Sequence, residues 1–137
     1  MPLAHFTLAY WCVLIAALLP IFCAGLAKAG TFGKPRSQGG YDNDNPRVWL
    51  ANLSDWRARA NAAQANSFEA LPFFIGAVVI AHQLGALQGR VDLLALVYIV
   101  LRLLYITFYV GGLSTLRSLA WAGGLLVNIA ILFSGYN

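Results

Sequence analysis

Asn61-Ala-Ala-Gln-Ala-Asn-Ser-Phe-Glu-Ala-Leu-Pro-Phe-Phe74 opens an apolar segment, yet it carries Asn66 and Glu69 three positions apart, with Pro72 just beyond them. A carboxylate inside a segment bound for lipid is costly. It normally faces a partner or a watery cavity, which makes it a functional-site candidate. The rest of the chain reads as either holding this polar helix in a membrane or supplying partners for it.

Outward from that stretch, the composition is that of a membrane protein. Of 137 residues, 60% are hydrophobic and 10% charged, whereas soluble domains carry about 25% charge. The length suits about four spans of roughly 20 residues with short loops. Leu3 to Ala27 has no Asp, Glu, Lys or Arg. No basic residue precedes it and it exceeds the usual signal-peptide core, so it reads as a permanent helix, kinked at Pro20. From Lys28 to Asp55 the chain turns to Gly, Pro, Asn, Asp and charge, a surface loop with a short interfacial piece around Val48, Trp49 and Leu50.

The expected fold is therefore all-α: a four-transmembrane-helix bundle in a single domain over 1–137. Its spans cover about 4–27, 57–84, 91–112 and 117–136, with a cytoplasmic loop over 28–55. Six basic residues in or beside that loop (Lys28, Lys34, Arg36, Arg47, Arg57 and Arg59) place it inside and both termini on the non-cytoplasmic face. The same placement explains the net charge of +4 without nucleic acid as a partner; the partner implied is the lipid bilayer. The compact Ala/Gly/Arg-rich style points to a bacterial inner membrane. Cys12 and Cys23 stand about 16 Å apart along one helix, beyond disulfide reach, and read as packing residues. No metal-ligand spacing occurs, and His5 and His82 are isolated near span ends.

Residues at i, i+3, i+4 and i+7 share a helix face. Arg59, Asn66, Glu69 and Phe73 lie on one stripe of the second span, with Arg57, Asn61 and Gln64 on a neighbouring one. On the third span Tyr98, Arg102, Tyr105 and Tyr109 share a face, and Arg117 stands at the turn that follows. An arginine near mid-bilayer costs about 2.5–3.5 kcal/mol on insertion scales. Arg102 and Glu69 are thus expected to face the bundle interior, where opposite charges compensate. Basic groups, amides and phenols aligned towards one membrane face suit an anionic, flexible ligand with an apolar portion.

Asn66-x-x-Glu69-x-x-Pro72-x-Phe74, followed by Arg102-x-x-Tyr105-x-x-x-Tyr109 and Arg117, resembles the MAPEG family, the membrane-associated proteins of eicosanoid and glutathione metabolism. The resemblance covers nearly the whole chain. It implies a homotrimer of four-helix subunits that binds glutathione as co-substrate between neighbouring subunits. It further implies transfer of glutathione to hydrophobic electrophiles, or reduction of lipid hydroperoxides, with a hydrophobic small molecule as second substrate. By similarity, Asn66 and Glu69 hold the tripeptide, assisted by Gln64 and Arg59. Arg102, Tyr105 and Tyr109 line the same cleft, and Arg117 bears on a carboxylate or the thiol. Arg117 and Tyr109 are the catalytic candidates.

Two other functions fit the residues. Family members often carry an arginine four residues before the motif asparagine, and Ala62 stands there. A non-catalytic binding or modulatory protein with the same fold is the alternative on that ground. The other is a small proton-coupled transporter using Glu69, which a nearby arginine disfavours by keeping the carboxylate ionised.

Overall fold

A computed structural model describes residues 5–136. Five α-helices follow in order: α1 (Leu8–Lys28), α2 (Pro46–Ala51), α3 (Trp56–Gln83), α4 (Gln88–Val110) and α5 (Ser114–Leu132). No strand occurs among the described residues. The helices α1, α3, α4 and α5 are each long and apolar enough to cross a membrane. The stretch Pro46–Ala51, where the sequence suggests an interfacial piece, is the short helix α2, opened by Pro46 in its first turn. Of the span expected from residue 4, the part before residue 5 lies outside the described residues. Thr7 ends the lead-in, because its side chain accepts the Tyr10 amide and caps the helix that starts at Leu8.

The side chains are distributed inside out relative to a soluble bundle. On α1 the buried positions Ala9, Cys12, Ala16, Cys23 and Ala27 are small, while Trp11, Leu18, Ile21 and Phe22 point outward. On α3 the buried set includes Ala60, Ala63, Ser67, Ala77 and Ala81. Small facing residues let two backbones approach closely, the main source of helix association in lipid, where burial of large apolar groups gains little. Helix α1 accordingly packs most heavily on α3, and α5 on α4, so that α3 and α4 form the middle of the bundle. Cys12 and Cys23 are buried, free thiols on this inner face. Pro20 is buried in α1 and Pro72 lies within α3; neither can donate the i→i−4 bond of its turn.

Polar knots tie the two ends of the bundle. At the end away from the long loop, the Thr7 hydroxyl donates to His82 Nε2 at 2.9 Å. His82 Nδ1 lies 2.7 Å from the Val78 carbonyl, which can only accept, so Nδ1 carries the proton. The ring stacks on Tyr10 with centroids 4.2 Å apart. Asp92 Oδ1 accepts both the Ala9 amide at 2.9 Å and the Gln88 side-chain amide at 2.7 Å. His82, isolated in the sequence, is thus the hub of a contact joining α1, α3 and the start of α4.

At the loop end, arginines of α3 satisfy the C-terminal carbonyls of its neighbours. Arg57 Nη2 donates to the Ala29 carbonyl at 2.9 Å, and Arg59 Nε to the Val110 carbonyl at 2.9 Å. Cations placed there also complement the helix dipoles. Gly112 makes the α4–α5 turn with a φ of 76°, a left-handed conformation that suits glycine. The long loop is held by Lys28 over the Tyr41 ring, by Tyr41 edge-on to Trp49 and by Arg36 with Asp42 and Asp44.

Replacing Asp92 by Ala leaves the Ala9 amide without its acceptor in the first turn of α1. Loss of about 1–2 kcal/mol of stability is expected, with faster hydrogen exchange confined to the first turn of α1. Thermal unfolding in micelles and exchange mass spectrometry check both.

Candidate functional site

Two helices present the same spacing to one cleft, and a third closes it. Asn66, Glu69, Ala70 and Phe73 line it from α3, and Trp121, Gly124, Leu125 and Asn128 from α5, each set at i, i+3, i+4 and i+7. Tyr98 and Arg102 form its back on α4. The cavity holds about 240 Å³. It opens onto a second cleft lined by Asn66, Tyr105, Tyr109, Arg117, Ser118 and Trp121, with Asn66 and Trp121 common to both. Together they form one groove that runs from the α4–α5 turn into the bundle.

Arg102 is the centre of the groove. Its side chain is buried, with the residue only 3% exposed. Nη2 donates to Asn66 Oδ1 at 3.0 Å and to Ser67 Oγ at 3.1 Å, and the guanidinium carbon sits 4.2 Å from the Tyr105 ring centroid. The expected compensation by Glu69 does not occur in the subunit. Among the described residues no carboxylate oxygen lies within 4.0 Å of the Arg102 nitrogens. Glu69 is exposed on the groove wall and makes no hydrogen bond to any of the described residues. The physical reason is helical phase: Asn66 and Ser67 occupy the turn of α3 facing Arg102, while Glu69 stands further round towards α5.

From Arg102 a ladder of alternating cations and rings leads outward. Tyr105 meets Tyr109 edge-on with centroids 5.6 Å apart, and the Arg117 guanidinium lies 4.5 Å from the Tyr109 centroid. Cations over aromatic faces are held by the ring quadrupole. Arg117 belongs to the first turns of α5 rather than to the preceding turn. The groove therefore has a cationic outer part, a buried cation midway and a mostly apolar inner end.

Two candidates lie elsewhere. Arg59 is not on the wall of either cleft: its Nε is engaged by Val110 and its guanidinium lies beside Gly112. Gln64 also lies outside both walls, its Oε1 buried without a hydrogen-bond partner. Asn66, Glu69, Arg102, Tyr105, Tyr109 and Arg117 are brought together. The sequence reading passed over Ser67, Trp121 and Asn128. For Ser67 and Asn128 a signal existed, since a lone polar residue in an otherwise apolar face of a span is itself uncommon.

Removing the Ser67 hydroxyl leaves a buried guanidinium N–H unpaired. Ser67→Ala should cost about 1–3 kcal/mol, whereas Ser114→Ala, at an exposed site on α5, should change stability little. Unfolding of both variants in the same micelles decides this.

No curated protein matches the chain, and neither does any solved structure. The model of the MAPEG family matches residues 8–136, covering all four long helices, and this integral, multi-pass membrane protein belongs to the MAPEG family.

Proposed function

We propose that this protein is a glutathione-dependent transferase or peroxidase acting on hydrophobic electrophiles or lipid hydroperoxides within a bacterial inner membrane. The observation that carries the reading is Arg102, a buried cation with no carboxylate of the described residues within 4.0 Å, opening through a cation–aromatic ladder to Arg117. A cation kept in the low-dielectric interior is costly unless paired, and an anionic ligand in the groove supplies the missing charge. Glutathione carries two carboxylates, an ammonium group and a thiol. Arg102 takes a carboxylate, exposed Glu69 takes the ammonium, and the Asn66 amide binds the peptide backbone. Arg59 and Gln64, off the groove wall in one subunit, contribute only where a neighbouring copy brings ligand to them.

Arg117 is the group beside the thiol. A cation there favours thiolate over thiol, and the thiolate is the nucleophile. With an aryl halide, the sulfur forms a C–S bond and halide leaves with its bonding pair. With a hydroperoxide, sulfur takes the distal oxygen, an alcohol departs, and a second glutathione yields disulfide and water. Tyr109, under the Arg117 guanidinium, can donate a hydrogen bond to the sulfur or to the leaving oxygen. The groove opens between α3 and α5, and its wall residue Glu69 is exposed, which supports completion of the site by a neighbour in a homotrimer. The basic loop lies on the cytoplasmic face and both termini on the other.

One observation favours a binding protein without turnover. With Ala62 one turn before Asn66 and Arg59 held on Val110, the groove has one cation fewer than the family pattern provides. Glutathione should raise the unfolding temperature. At a hundredfold excess over Kd the gain is about 2.7 kcal/mol, and Glu69→Ala should diminish it. Unchanged stabilisation in that variant removes Glu69 from the ligand. Stabilisation without conjugation of a generic aryl halide would support the binding protein.

Arg117→Ala raises the thiol pKa of bound glutathione towards the free value of about 8.5. Turnover should fall at pH 7 and recover as pH rises through 8.5, with glutathione affinity changed less than turnover. A pH–rate profile identical to that of the parent protein would exclude Arg117 from thiol activation.

A further inference from the structure

The central cation of the groove makes one bond that lies out of a ligand's reach. Arg102 Nη2 donates to two side chains of α3, and the two differ in access. Asn66 is half-buried and lines both clefts, so a bound molecule competes for its amide. Ser67 is 4% exposed and lines neither. Its hydroxyl also differs from those of Thr107 and Ser134, which donate to the carbonyl four residues back, a common local bond. Ser67 Oγ instead accepts from Arg102, 35 positions away in sequence. The buried Cys23 thiol of α1 packs beside both groups and closes the site from behind.

We infer that Ser67 is a positioning residue: it aims Arg102 at one carboxylate of glutathione and keeps that aim while Asn66 turns to the ligand. The inference rests on the reading that glutathione occupies the groove. A guanidinium is a rigid planar fork of N–H donors. The Tyr105 ring, with its centroid 4.2 Å from the guanidinium carbon, bounds one side of the fork. Anchoring Nη2 on Ser67 then stops the fork from swinging and directs its remaining donors. Without the hydroxyl the cation stays at the same depth, but it is free to turn once Asn66 is engaged by ligand. The carboxylate then meets a charge in place of a preformed partner, and the ordering cost falls on binding. The thiol end is spared, because Arg117 and Tyr109 meet in the outer cleft without Ser67. Ser67 therefore acts on glutathione affinity, through one of its two carboxylates, rather than on the chemical step.

Isothermal titration of the full chain in nanodiscs compares glutathione with its two mono-amides, one capped at the glycine carboxylate and the other at the γ-glutamyl α-carboxylate. In the parent protein one of the two should bind about tenfold more weakly than glutathione, through loss of a charge-assisted pair. Ser67→Thr keeps the hydroxyl and should retain that ratio. Ser67→Val, of the same shape as threonine without the hydroxyl, should reduce it to about threefold by weakening glutathione itself. Turnover at saturating glutathione should change by less than about twofold between these variants. Any packing change is common to S67T and S67V, so a merely structural role leaves the ratio alike in both, and that outcome overturns the assignment. Where either fails to fold, Ser67→Ala takes its place against the parent protein, and an unchanged ratio overturns the assignment in the same way. Equal binding of all three ligands to the parent protein also overturns it, since Arg102 then has no carboxylate to meet. A parent protein that binds no glutathione overturns the transferase reading and the role of Ser67 together. Failure of Ser67 alone is distinct from this: glutathione binds, one mono-amide binds weakly, and the substitutions leave the ratio as it was.

Discussion

A guanidinium must be solvated wherever it resides, and in this bundle the protein has to do what water cannot. Arg102 lies midway along α4 with an amide, a hydroxyl and an aromatic face as its shell. That layer divides the interior. On the side away from the long loop, Ala9, Cys12, Phe74, Val78, Tyr98 and Ile131 form one apolar cluster. Towards the loop, Leu19, Cys23, Ala63, Tyr105, Ile106 and Ala120 form another. The polar layer between them also positions the groove, since Asn66 both solvates Arg102 and lines the cleft.

The two halves of the bundle are held differently. Helices α1 and α3 meet through alanines and cysteines, close enough for dispersion to dominate. Their ends are pinned by Asp92, His82 and Arg57. The α4–α5 half packs nearly as heavily but encloses a cavity, bordered by Gly124 and Asn128 of α5 and by Tyr98 of α4.

The charge pattern follows from the same division of labour. Arginines near the loop face do two separate jobs. Arg57 and Arg59 cap the ends of α1 and α4, a structural role met by backbone carbonyls. Arg102 and Arg117 are partnered by rings and neutral groups, which stabilise a cation without neutralising it. A cation stabilised this way retains its field, and a field in a low-dielectric groove is what an anion would respond to.

Much of this was legible in the residues. Hydrophobic length and the Gly/Pro/Asp-rich interruption mark four long helices and a polar loop, because the bilayer sets span length and loops must hydrogen-bond. The motif around Asn66 and Arg102, with the helical repeat, brings out a shared polar face. Pairing within that face was not legible: whether Arg102 meets Glu69 or Asn66 and Ser67 depends on the rotation of α3 against α4, a few tens of degrees that the packing of Ala63, Ala77 and Phe74 sets. His82 looked isolated because its partners, Thr7 and Tyr10, lie on α1 and come to it only on folding. By itself the sequence determined the number of long apolar helices and the residue types available for chemistry, since periodicity and transfer energy are local properties. Only the tertiary structure decided which arginines cap helices, which remain without a carboxylate, and that Asn128 ends a cavity, because these follow from distances between helices far apart in the chain.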